Sequence, residues 1–133
     1  MSKKIESAYI VDDDSVYVYG LQKLIALKSY CHNILVFSNG LDALNHLKAV
    51  LLHDEILPDV ILLDINMPVM DGWQFMEEFA KIDHGIEKKV TVYMISTSIE
   101  ESDMLRAEKI SDISGYIIKP TRIADLEKIF LPE

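Results

Sequence analysis

Charged side chains in this sequence stand where short apolar runs stop. Asp12 and Asp13 follow Tyr9-Ile10-Val11, Asp64 follows Val60-Ile61-Leu62-Leu63, and Lys119 follows Tyr116-Ile117-Ile118. A further apolar run, Val90 to Ile95, ends in the hydroxyl of Ser96. Three carboxylates gathered in one crevice repel each other and call for a cation. Hard oxygen ligands of this kind suit Mg2+, which keeps several waters and takes only one or two carboxylates. A lysine and a hydroxyl beside them complement the oxygens of a phosphoryl group. The set therefore describes a carboxylate that accepts phosphate, with Asp64 as the reactive group. Each member also has a plainer reading: acidic residues at a helix start for Asp12 to Asp14, a turn former for Asp64, a cap within Ser96-Thr97-Ser98, a surface lysine for Lys119. Their joint placement at four strand ends is what argues for a site.

The apolar run before Asp64 does not alternate with polar residues, which suits a strand buried on both faces of a parallel sheet. Around it the chain alternates strand and helix. A first strand runs Ile5 to Val11, and Tyr17, Leu21, Leu24 and Ile25 then fall at helical spacing behind Asp14 or Ser15 as cap. A second strand spans Asn33 to Phe37, followed by the turn Ser38-Asn39-Gly40 and a helix marked by Leu41, Leu44, Leu47 and Leu51. Leu57-Pro58-Asp59 breaks the chain before the third strand, Val60 to Asp64. Asp71-Gly72 supplies a turn, Trp73, Met76, Phe79 and Ala80 line the next helix, and His84-Gly85 ends it. The fourth strand runs Val90 to Ile95. Ser98 with Glu101 has capping-box spacing, which starts a helix through Met104, Leu105 and Ile110. Gly115 to Ile118 is the last strand, and Thr121 caps a helix whose face is Ile123, Leu126, Ile129 and Phe130. Such alternation predicts an α/β domain with right-handed crossovers and a parallel sheet covered by helices on both sides. All strand ends of one kind then share one edge, where residues distant in sequence converge.

The 133 residues fit a single domain, with a core over about 5–130. A hydrophobic content of 50% marks a folded protein, and a formal charge of −9 argues against direct nucleic-acid binding. One cysteine, Cys31, excludes an intrachain disulfide and fits a reducing compartment. No signal peptide and no apolar run of the ~20 residues needed for a membrane span is present, so the expectation is a soluble, cytoplasmic protein. His32, His46, His53 and His84 lack metal-ligand spacing, and Tyr17, Tyr19, Tyr30 and Tyr93 read as packing residues with a wet hydroxyl end.

Over Ile5 to Phe130 the chain resembles the response-regulator receiver domains of two-component signalling. Val11-Asp12-Asp13-Asp14 is similar to their acidic strand end. Leu63-Asp64-Ile65-Asn66-Met67-Pro68 with Asp71-Gly72 is similar to their phosphorylation loop, and Lys119-Pro120 to their terminal Lys-Pro. The resemblance implies a CheY-like, flavodoxin-like (βα)5 sandwich with strand order 2-1-3-4-5. It implies that Asp64 takes a phosphoryl group from a sensor histidine kinase or phosphotransfer protein. Asp13, Asp64 and the main-chain carbonyl of Asn66 would hold Mg2+, with Asp12 acting through bound water. Lys119 would pair with phosphate oxygens, and its peptide bond to Pro120 would be cis. Ser96 would be the switch hydroxyl, with Thr97 as the alternative, and Tyr116 the switch aromatic on an interaction face of helix four, strand five and helix five. Asn66 and Ser98, at positions that influence phosphoryl lifetime, offer no carboxylate to an attacking water. The expectation is a stand-alone receiver, a signalling switch and not an enzyme, acting as a monomer or weak dimer on a downstream protein. Two other classes stay open: a pseudo-receiver that never takes phosphate, and a haloacid-dehalogenase-type phosphatase, for which a second catalytic aspartate two residues after Asp64 is missing.

Overall fold

The computed structural model of the chain describes residues 5–53, 55–83 and 88–131. Strand and helix alternate as β1 (Ser7–Val11), α1 (Ser15–Leu27), β2 (Asn33–Phe37), α2 (Gly40–Leu52), β3 (Val60–Asp64), α3 (Gly72–Asp83), β4 (Thr91–Ser96), α4 (Glu101–Glu108), β5 (Ile113–Ile118) and α5 (Ile123–Phe130). The strands form one sheet in the order β2-β1-β3-β4-β5, every pair parallel. Among the described residues no helix is long and apolar enough to cross a membrane.

Burial explains why β3 carries the uninterrupted apolar run. All five of its residues are buried, because successive side chains point to opposite faces and both faces are covered. Ile61 and Leu63 join Tyr9, Val11, Leu44, Leu47, Phe75 and Phe79 in the layer under α2 and α3. Val60 and Leu62 join Ile10, Leu21, Ile25, Leu126 and Phe130 in the layer under α1 and α5. Edge strand β2 is covered less, leaving Leu35 and Val36 exposed.

Local signals set most element boundaries. The Asp14 side chain accepts from the Tyr17 N–H at 3.1 Å, which fixes the start of α1. The helix stops at Ser29, whose positive φ of 54° lets Ser29 N–H reach the Ala26 carbonyl and Tyr30 N–H the Ile25 carbonyl. Asn39 caps α2 through the Asp42 N–H at 2.9 Å. Two expected caps are absent. Ser98 and Glu101 form no capping box; α4 begins one residue after Glu100, and the Ser98 hydroxyl instead donates to Asp103 at 2.6 Å. Thr121 does not cap α5, because its hydroxyl is bonded to Tyr17; Arg122 takes the cap position, and its N–H donates to Asp125 at 2.9 Å. Ala80 and Ile123 are exposed, not on the buried faces, and Phe75 takes the core position on α3. β1 begins at Ser7 and not Ile5, β4 is shifted one residue to Thr91–Ser96, and β5 starts two residues early at Ile113. The expected helix end at His84-Gly85 lies outside the described residues.

At the opposite edge from the acidic strand ends, Asp59 staples the sheet. One carboxylate oxygen accepts from the Glu6 and Ser7 N–H groups at 2.8 and 3.1 Å, and the other meets Lys88 at 2.8 Å. Burial raises the Asp59 pKa, but the Lys88 and backbone bonds outweigh it and hold the group below its ordinary 3.8. Its contribution to stability is therefore complete above the unfolded value and is lost as pH falls through the depressed folded value. Asp59→Ala is expected to cost on the order of 2 kcal/mol in urea unfolding at pH 7, with the difference from the native protein shrinking in acid. A pH-independent difference would refute the assignment.

Tyr9 presents the contrary case. Its ring sits edge-on to Phe37 (5.1 Å) and His46 (5.6 Å), while its buried hydroxyl has no partner among the described residues. Burial, with a smaller push from Glu55, raises its pKa to about 12. Tyr9→Phe keeps the ring contacts and removes the unpaired hydroxyl, so urea midpoints should hold or rise by the equivalent of up to about 1 kcal/mol. A comparable loss would mean that the hydroxyl has a partner after all.

Candidate functional site

The carboxyl ends of β1, β3, β4 and β5 come together at one edge of the sheet. One carboxylate oxygen each from Asp12, Asp13 and Asp64 lies within 4.8 Å of the others. Asp12 and Asp64 are buried, and Asp13 is exposed. Lys119 reaches in from the end of β5, its ammonium 2.8 Å from Asp12 and 3.7 Å from Asp64. The lysine thus joins the acidic cluster as expected, but its nearer partner is Asp12. The other Asp12 oxygen accepts from the Asp14 N–H at 2.9 Å.

Three acids and one lysine leave a net negative crevice. Burial, and next the charge of Asp12, push the Asp64 carboxyl up to about 6; Lys119 and the Ile65 N–H at 2.8 Å pull it down, and Asp13 adds a further push. Three hard oxygen donors that disfavour each other's charge suit a divalent cation such as Mg2+.

The loop after Asp64 is held by backbone contacts. Gly72 N–H donates to the Ile65 carbonyl at 2.8 Å, and a Cβ on Gly72 would lie 2.4 Å from the Asp64 carbonyl oxygen. Only glycine lets α3 start this close to the end of β3. Asp71 and Gln74 exchange bonds at 2.8 and 3.0 Å, a reciprocal cap that fixes the helix start. Val69 has a positive φ of 68°, closing a γ-turn in which Met70 N–H meets the Pro68 carbonyl at 2.7 Å. The Met70 carbonyl then accepts from Gly40 N–H at 3.0 Å, and a Cβ on Gly40 would stand 2.9 Å from it. Asn66 is exposed at the head of this loop.

Ser96 and Thr97 are separated by burial. Ser96 is fully buried, while Thr97 faces solvent. The Ser96 hydroxyl accepts from Ser98 N–H at 3.1 Å, and its carbonyl accepts from Lys119 N–H at 2.8 Å, joining the β4 and β5 ends. Tyr116 is half-buried and donates from its hydroxyl to the Ser98 carbonyl at 2.9 Å. The peptide between Lys119 and Pro120 is cis. Beyond this network a groove of ≈ 330 Å³ runs between α4 and β5, lined by Met104, Ala107, Glu108, Ile113, Tyr116 and Ile118 among others.

Three features escaped the sequence reading. Tyr17, read as packing, lies against Lys119 with its ring centroid 4.3 Å from the ammonium and its hydroxyl bonded to Thr121. Nothing in its spacing along the chain signals this contact. Trp73 is buried beneath the Arg106 guanidinium, 4.4 Å from the ring, which links α3 to α4. Asp71, read as part of a turn, is also the cap of α3 through its exchange with Gln74, a spacing visible in the sequence.

Comparison with known proteins agrees with this geometry. The response regulator receiver domain profile matches residues 8–130. The chain is 34% identical over 122 residues, 90% of its length, to the sensor histidine kinase CheAY of Helicobacter pylori. It is 28% identical over 122 residues, 91% of its length, to the two-component response regulator ORR26 of Oryza sativa. It spans only 14% and 19% of the lengths of those two relatives. A two-component response regulator from Cytophaga hutchinsonii has a solved structure that superposes with a TM-score of 0.86 at 26% identity, covering 98% of this chain and 100% of that one. The five parallel strands in their shared order, the acidic edge and the match over nearly the whole length lead to one conclusion: the chain belongs to the family of response regulator receiver domains.

Proposed function

We propose that Asp64 is the phosphoacceptor of a Mg2+-dependent phosphoryl transfer, and that the acyl phosphate it forms alters an interaction face built from α4, β5 and α5. The observation that carries this reading is the convergence of Asp12, Asp13 and Asp64 around one point with Lys119 beside them. Asp13, Asp64 and the main-chain carbonyl of Asn66 would hold Mg2+, with Asp12 acting through water. The ion, when bound, neutralises charge on the transferring group.

The chain's own residues supply the rest. A free Asp64 oxygen bonds to phosphorus as the phosphorus–nitrogen bond to the donor histidine breaks, and the imidazole leaves with that electron pair and takes up a proton. Lys119 sets an ammonium where anionic oxygens develop, which offsets the repulsion between carboxylate and phosphoryl group. Burial around Asp64 excludes water and strengthens that interaction. Ser96, enclosed at the end of β4, is the switch hydroxyl in this reading, and solvent-facing Thr97 is not. A bond from Ser96 to phosphate would draw the β4–α4 loop inward, carrying Ser98 and therefore the hydroxyl contact of Tyr116. α4 is the element best suited to respond: eight residues, Ala107 its buried residue, no side-chain cap. Ligand and partner then shift populations of existing arrangements.

The partners of this reading are a cytoplasmic histidine kinase or phosphotransfer protein upstream and a protein received by the α4–β5 face downstream. The first test is intact mass after incubation with acetyl phosphate and Mg2+, where the phosphorus–oxygen bond to acetate breaks instead. One added phosphate is expected on the native protein and none on Asp64→Ala. No addition to either would leave a binding module without phosphoryl chemistry, and catalytic release of phosphate from a generic ester would point to a phosphatase.

A second outcome follows from the acid cluster without metal. The Asp64 carboxyl has its ordinary value of 3.8 when unfolded and about 6 when folded. Between these values the folded chain holds the extra proton, so stability contributed by the protonated group is complete below 3.8 and is lost as pH rises through 6. In EDTA, Asp64→Asn should therefore melt above the native protein at pH 7, by the equivalent of on the order of 2 kcal/mol, with the gap closing toward pH 4. Added Mg2+ should raise the melting temperature of the native protein more than that of the variant. Equal response to Mg2+ would remove Asp64 from the metal site.

A further inference from the structure

Lys119 has more claims on it than the acidic crevice alone makes. Its ammonium lies 2.8 Å from Asp12 and 3.7 Å from Asp64, and it also sits 4.3 Å from the centroid of the Tyr17 ring. Asp12 and Asp64 also belong to the acidic cluster that a divalent cation would draw on. An ammonium that depends on them alone competes with the metal for its place. An aromatic face is different: it attracts the cation through its quadrupole, carries no net charge, and uses no carboxylate oxygen. Tyr17 is also tied at its far end. Its hydroxyl is bonded to the Thr121 hydroxyl, so α1 is joined to the turn that follows the lysine across 104 residues of sequence. The ring thus meets the ammonium while the hydroxyl holds the residue two positions beyond the lysine.

We propose that Tyr17 is a positioning residue for Lys119: its ring keeps the ammonium beside the crevice during phosphoryl transfer without occupying a metal-ligating oxygen, and its hydroxyl anchors the turn that presents the lysine. This rests on the reading that Asp64 accepts phosphate. Tyr17 touches neither phosphate nor metal in this scheme and acts through the lysine. Asp14 serves it indirectly, because the cap on the Tyr17 N–H sets where the first turn of α1 places the ring.

The test measures uptake of phosphate from acetyl phosphate with saturating Mg2+ in the native protein, Tyr17→Leu, Tyr17→Phe, Lys119→Ala and the Tyr17→Leu/Lys119→Ala double variant. Tyr17→Leu should slow uptake about fivefold to tenfold, and Tyr17→Phe, which keeps the ring, should recover most of that loss. In the Lys119→Ala background the leucine substitution should have almost no further effect, since the residue through which it acts is gone. Equal slowing in both backgrounds, or no slowing in either, overturns the proposal. A second readout needs no phosphate chemistry: the ε-methylene protons of Lys119 should be shifted upfield by the ring in the native protein and in Tyr17→Phe, and should lose that shift in Tyr17→Leu. Native protein without the upfield shift overturns the contact even if every variant fails to fold. If the native protein takes up no phosphate while the ring shift is present, the phosphoacceptor reading falls and the Tyr17–Lys119 contact stands.

Discussion

Everything in this molecule answers to one electrostatic problem, the confinement of several carboxylates at the end of a buried sheet. Asp12 and Asp64 are both withdrawn from water, and Asp13 stands close by. Like charges at such distances interact strongly where water is scarce. The chain offsets this only partly, with one lysine whose nearer partner is Asp12 and with N–H groups from Asp14 and Ile65. The remaining imbalance is what suits the cluster to a divalent ion.

The scaffold meets this requirement by stiffness on β3 and its neighbours. A strand buried on both faces cannot shift sideways without disturbing two apolar layers, so the carboxylate at its end is fixed in depth. The loop beyond it is folded tightly, with a positive-φ valine, a reciprocal cap on α3 and a backbone bond from α2. None of these devices is chemical. They hold the Asp64 carboxylate at a fixed position at the end of β3.

The readable part of the sequence was the part governed by short-range rules. Continuous apolar runs ending in Asp12, Asp64, Ser96 and Lys119 were enough to place those residues on one edge of a parallel sheet, whereas the order of the strands came only with the resemblance to receiver domains. Caps were read less well, since several hydroxyl and acidic residues compete for each helix start. Ser98 lost that competition to its own bond with Asp103, and Thr121 lost it to Tyr17. The aromatic contacts could not be read at all. Tyr17 on Lys119 and Trp73 under Arg106 join residues from different βα units, and nothing in spacing along the chain specifies which rings meet which cations.

The glycine contacts give the crevice two unlike walls. On one side, Gly72 and Gly40 bring α3 and α2 into backbone contact with the segment from Asp64 to Met70, leaving no room for either helix to advance. On the other, α4 is held by a single buried alanine, by the Ser98–Asp103 bond and by Arg106 lying over Trp73. Load applied at Asp64 meets an abutment in one direction and a spring in the other. The direction in which this edge of the sheet would yield is thus a mechanical property of the resting chain.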